Sequence, residues 1–276
     1  MAEGIEYVIE SSRRRIIDLK EIWQYRELFY FFTWRDIKVK YKQTVLGVIW
    51  VVLQPVLTVA IFSLFFGRAL NVPSAGLPYP VFVFSGLLLW NVFSASINTA
   101  GNSMLTHAPI IKKIYFPRII IPVSSILVAL VDFCIAFIVF LMVSVYYHVK
   151  VDFVELLIFW PSAIFLMLSG SIGISCWLAA LSVKYRDFRF VIPFVLQIAL
   201  FVSPVIYPAS VIGNSLLNYV FALNPMYGAI MFFRAPITST PLENILVLIS
   251  VISTLSFLVL GIYYFKKTEA YFADIS

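Results

Sequence analysis

The sequence predicts an all-α integral membrane protein. It has six transmembrane helices, an N-terminal amphipathic interface helix and short re-entrant helices on the outer side. Three observations carry this. Of 276 residues, 62% are hydrophobic and 12% charged, with a mean hydropathy of +0.96. Soluble domains hold about 45–50% apolar and about 25% charged residues. That composition excludes a water-soluble globular domain and a disordered chain. The apolar residues also lie in long continuous runs, as spanning helices require, and do not alternate as barrel strands do. Finally, the basic residues collect on one side of those runs.

The first 44 residues hold nine of the 20 basic residues. Within them Trp23–Lys42, WQYRELFYFFTWRDIKVKYK, crowds rings in its middle and cations at its end. Trp23, Tyr25, Tyr30, Trp34 and Tyr41 are interface-seeking, so this stretch is expected to lie as an amphipathic helix in the membrane surface. A charge run that only sets orientation is the plainer alternative. Residues 1–43 contain no continuous apolar leader, so insertion is expected to use the first span.

Six apolar segments follow: Val45–Phe66, Tyr79–Ser103, Ile119–Tyr147, Phe153–Val183, Phe190–Tyr207 and Ile245–Phe265. A span needs roughly 20 apolar residues. The chain therefore divides into a cytoplasmic segment 1–44, a six-helix transmembrane domain 45–265 and a cytoplasmic tail 266–276. Loop 104–118 carries Lys112, Lys113 and Arg118. The loop after the fourth span carries Lys184, Arg186 and Arg189, and the tail Lys266 and Lys267. Only Arg68, Lys150 and Arg234 fall on the other side. The excess of cations on the cytoplasmic face of membrane proteins puts both termini in the cytoplasm.

The outer segment 208–243 contains SLLNYVFAL and MYGAIMFF, separated by Asn224 and Pro225. Neither run can span, and Pro225 disfavours one continuous helix. Two short helices dipping into the outer leaflet are expected, with a surface hairpin as the alternative. Asp132 is the one carboxylate deep inside a span, and it is expected to be neutral or hydrogen-bonded and not a proton relay. Ser169, Gly173 and Cys176 share a helix face that permits close packing. Pro193, Pro204 and Pro208 punctuate the fifth span, which either lines a cavity or packs as a kinked helix.

The chain contains no GxxxxGK[ST], HExxH, GxSxG or CxxC pattern. Cys134 and Cys176 lie in apolar runs and read as buried thiols. His107 and His148 show no metal-site spacing. The 26 Phe, 15 Tyr and 6 Trp either face lipid or offer flat surfaces to sugars, whose apolar faces pack on aromatic planes.

Three longer motifs narrow the reading. WRDIKVKYKQTVLGVIWVVLQPVL (34–57) with FSLFFGRAL (62–70), VKYRDFRFVIPFVLQIALFVSPVIYP (183–208) and LNPMYGAIMFFR (223–234) together resemble the ABC-2 type permeases of polysaccharide export. O-antigen and capsule exporters look closest, and teichoic-acid exporters are similar. The resemblance implies an ABC-2 exporter fold in the bacterial inner membrane, acting as a homodimer with two separate nucleotide-binding ATPase subunits. ATP and Mg would be bound by those partners, and this chain would hold no cofactor and do no enzymatic chemistry of its own. The implied cargo is an undecaprenyl-diphosphate-linked glycan, and no nucleic acid is implied. Other readings are an ABC-2 exporter of lipid or drug, a membrane enzyme of lipid-linked sugars, and an ion-driven transporter.

The resemblance also assigns candidate roles. It implicates the first and fifth spans and the outer segment in the glycan path, where the rings are Trp50, Phe62, Phe66, Phe194, Phe201, Tyr207, Tyr219 and Tyr227. Arg35, Lys38, Lys40 and Lys42 would meet the anionic lipid headgroup, with Arg35 first because a guanidinium binds phosphate bidentately. A short helix at 109–115 would present Ile110, Ile111, Lys112, Lys113 and Tyr115 to the ATPase, although the two lysines also serve topology alone.

Overall fold

Apolar runs in a chain with so few charges must satisfy their backbone groups internally, and here they do so as helices. The computed structural model describes residues 19–42, 47–211, 215–238 and 242–269. Arg13, Arg14, Arg15, the expected span start at Val45 and the tail beyond Glu269 lie outside the described residues.

Helices α1 (Leu19–Gln24) and α2 (Arg26–Lys42) form the N-terminal segment. Phe32 is its buried anchor, while Trp23, Tyr30, Phe31 and Trp34 stay exposed. Helix α3 (Gly47–Phe62) contains Pro55 and runs on as a π-helical stretch, Ser63–Ala69. Helix α4 (Tyr79–Thr106) returns through the centre of the molecule and is the most buried of the long helices. After the four-residue α5 (Ala108–Ile111) come α6 (Ile120–Tyr146) and α7 (Phe153–Lys184). Asp152 caps α7, accepting from the Val154 and Glu155 amides at 2.9 and 3.2 Å.

Helix α8 (Phe188–Val202) is shorter than the fifth span that the sequence suggests. Fifteen residues rise about 22 Å, less than the roughly 30 Å hydrocarbon thickness. The chain then unwinds because Pro204 offers no amide to continue the helix. Helices α9 (Ser215–Ala222) and α10 (Pro225–Arg234) follow, bent by 91° to one another. The bend sits where expected: Asn224 accepts from the Met226 amide at 2.9 Å, and Pro225 opens the second helix. Helix α11 (Asn244–Thr268) closes the fold with Lys266 and Lys267 in its last turn. By length and composition, five described helices can cross a membrane, and the α9–α10 pair brings the number to six. The chain is a multi-pass membrane protein.

The main core lies between α4, α6, α7 and α10. The Trp160 and Phe233 rings stack at 5.1 Å, with Phe140 against Phe84 beside them. Helices α7 and α11 cross with their backbones nearly touching, since a Cβ on Gly261 would collide with the Gly173 carbonyl. A second cluster gathers Phe32, Ile111, Phe116, Ile120 and Phe265. It occupies the end of the molecule where α2, the 107–119 loop and the end of α11 meet, called the basic end below.

Candidate functional site

Helices α3, α4, α6 and α8 surround a cavity of about 730 Å³. Each helix contributes one stripe at helical spacing. From α3 come Trp50 and Gln54, and from α4 Asn91, Ser94 and Asn98. Helix α6 adds Ala129, Asp132 and Phe133, and α8 adds Pro193, Gln197 and Leu200. Trp90 completes the aromatic part, and the last turn of α2 brings Lys40 and Tyr41 to the rim.

The polar character of this wall is neutral amide. Gln54, Asn91, Asn98 and Gln197 are exposed to the cavity side. Their side chains have no hydrogen-bond partner among the described residues. Each primary amide offers two donors and an acceptor. On α4 the series continues toward the basic end: the Asn102 amide donates to the Asn98 carbonyl at 3.0 Å and Thr106 to the Asn102 carbonyl at 3.1 Å. A polar stripe on an otherwise apolar helix is costly in lipid and belongs against water, protein or cargo.

Asp132 is the one carboxylate among the described wall residues. It pairs with Lys40 Nζ and accepts from the Tyr41 hydroxyl. The hydrogen-bonded alternative is the one observed, with both partners supplied by α2. Burial, and then Asp132, pushes the Tyr41 phenol well above its usual range, so the hydroxyl stays protonated and keeps donating.

The eight rings expected on the path separate. Trp50 alone lines the cavity. Phe62 and Phe66 pack edge to face at 5.6 Å further along the first span. Phe194 and Phe201, 63% and 52% exposed, lie on α8 outside its cavity stripe. Tyr207 donates to the Phe201 carbonyl at 2.5 Å, and Tyr219 is exposed on α9. Tyr227 is 1% exposed, in a small core with Ala222 and Leu246, so it is not a wall ring.

The four candidate headgroup cations separate as well. Arg35 is already engaged: its Nε and Nη2 donate to Asp36 Oδ1 at 3.0 and 2.7 Å, Nη2 also meets His107 Nε2, and the guanidinium covers the Phe32 ring. His107 Nδ1 bonds the Ser103 carbonyl at 2.7 Å. The fork that was to bind phosphate thus ties α2 to the turn after α4. Lys38 lies over the Trp34 ring at 5.3 Å, and Lys42 is exposed. Only Lys40 reaches the cavity.

In the 107–119 loop the helix is shorter than the expected 109–115. It ends at Ile111, and Ile111 is buried in the basic-end cluster and not presented. Ile110 is half-buried, whereas Lys112, Lys113 and Tyr115 are exposed. The loop is tied to the end of α11, with the Arg118 amide donating to Glu269 Oε1 at 3.1 Å.

The wall amides and Arg234 were missed at the sequence level. The amides were legible as Asn91, Ser94, Asn98 and Asn102, three to four residues apart in an apolar span. Arg234 read only as a topology residue. It is 4% exposed and neutral groups hold it entirely: the carbonyls of Pro204, Phe82 and Val205 at 2.6, 2.9 and 2.9 Å and Ser85 Oγ at 3.0 Å. Two of those carbonyls lie in the unwound segment after α8, so Arg234 fixes the broken helix that ends the cavity's fourth side.

Residues 27–238 match the ABC-2 type transporter family. The O-antigen export system permease protein RfbA of Myxococcus xanthus is 27% identical over 226 residues, covering 79% of this chain and 82% of that protein. A permease of the same name from Klebsiella pneumoniae is 25% identical over 253 residues, covering 90% and 95%.

Proposed function

The chain belongs to the ABC-2 type transporter family, and on that premise we propose that it is the permease subunit of an exporter of undecaprenyl-diphosphate-linked polysaccharide of the O-antigen kind. A separate ATPase subunit powers it, and the glycan moves from cytoplasm to periplasm across the bacterial inner membrane. Two copies of the permease enclose the path. Both termini and the basic end face the cytoplasm, where the ATPase docks. The permeases of similar sequence named for O-antigen export, which this chain matches over most of their length, support the cargo.

The observation that carries the reading is the wall of amides, unpartnered among the described residues, with the exposed Trp50 indole. A sugar chain presents hydroxyls that both donate and accept, and primary amides answer both. Its ring faces are apolar and stack on Trp50, whose ring is exposed, while Trp90 is buried behind the wall. Such contacts are numerous and individually weak, about 1 kcal/mol net for a hydrogen bond. A polymer can therefore exchange them unit by unit and keep sliding.

Force enters at the basic end. Exposed Lys112, Lys113 and Tyr115 form the ATPase contact. The Arg35–His107 contact passes their displacement to α2, whose last turn holds Asp132 at the cavity rim. The test removes hydrogen bonding without removing volume. In the permease–ATPase complex, Gln54→Leu with Gln197→Leu is expected to lower glycan-stimulated ATP turnover about tenfold or more, the loss of two hydrogen bonds of about 1 kcal/mol each. Unchanged stimulation in an intact complex would reject this wall as the glycan path.

A further inference from the structure

Resting on the glycan-export reading, we propose that this wall selects a glycan whose repeat carries no net charge. The chain is rich in cations, 20 Lys and Arg for a formal charge of +6. Yet among the described residues none of them serves the wall as a counter-charge for cargo. Among the described lining residues the charged groups are Lys40 and Asp132, and they neutralise one another. Arg35 is turned to Asp36 and His107, and Arg234 is enclosed by backbone carbonyls. The α4 stripe stays neutral from Asn91 through Asn98 and Asn102 to Thr106. A symmetric second copy would add the same groups and leave the sum unchanged.

Pores that pass anions present rings of Arg or Lys. An anion held between apolar helices without a counter-charge loses several kcal/mol of hydration. A polymer with a carboxylate or phosphate in every repeat would meet that cost at each step. Amides instead hydrogen-bond hydroxyl and acetamido groups without regard to charge. Asp132 has a definite part here: it cancels Lys40, the one cation among the described wall residues.

The test uses the complex with its ATPase in vesicles and two substrates on the same undecaprenyl-diphosphate carrier. One is a neutral hexose oligomer, and the other has the same length with one hexuronic acid per repeat. The neutral glycan is expected to be exported about tenfold faster or more, a difference of about 1.4 kcal/mol or more. Asn98→Lys is expected to raise the ratio of anionic to neutral export. Asp132→Asn, which still accepts from Tyr41 but leaves Lys40 charged, is expected to raise it too. Equal export of both glycans overturns the proposal, as does an unchanged ratio in both variants. If neither glycan moves while the complex hydrolyses ATP, it is the export reading that fails.

Discussion

Arg234 is fully desolvated without a carboxylate, so its stability rests on four neutral acceptors. Replacing it with Met leaves the Pro204 and Val205 carbonyls unpaired, at about 1–3 kcal/mol for each buried group. Arg234→Met is therefore expected to lower the thermal midpoint of the detergent-solubilised protein clearly, measured by loss of the monodisperse peak after heating. A midpoint equal to the parent would contradict this role. Gly86 belongs to the same device, because a Cβ there would lie 2.7 Å from Arg234 Nη2 and 3.0 Å from the Val205 Cα. No sequence pattern announces it: Arg234 stands about 150 positions from Ser85 and Phe82. Asp132 was legible as a problem, a charge inside a span, but its solution on α2 lies some 90 positions away.

At the scale of elements, burial decides which loop residue can probe coupling. Ile111 packs with Phe32, Phe116 and Ile120. Ile111→Asp would bury a carboxylate among apolar side chains and is expected to impair folding and yield before it uncouples anything. Tyr115 is 80% exposed, so Tyr115→Asp is expected to lower glycan-stimulated ATP turnover severalfold at an unchanged melting midpoint. The reverse pattern, a normal Ile111→Asp protein and a fully coupled Tyr115→Asp complex, would contradict this division. Helix existence was legible throughout, because apolar runs of this length have few other folds. Helix ends were less so. Helix α8 stops at Val202, since the freed carbonyls beyond it find Arg234 and need no further helical turn. The aromatic count drew attention to rings, while the α4 amide stripe, equally plain in spacing, is what marks the cavity.

At the scale of the whole molecule, the basic end brings α2, the 107–119 loop and the end of α11 into one cluster around Phe32. The cavity rim is joined to that cluster through α2. An ATPase acting on the exposed loop would thus move a wall element without touching it. The proposed function assigns that work to a separate ATPase subunit. The most direct measurement is ATP-dependent transfer of undecaprenyl-diphosphate-linked glycan into inside-out vesicles that contain this chain and its ATPase partner. Glycan is expected to become protected from added glycosidase only when ATP and both subunits are present. Protection at the same rate without the ATPase, or without ATP, would contradict it.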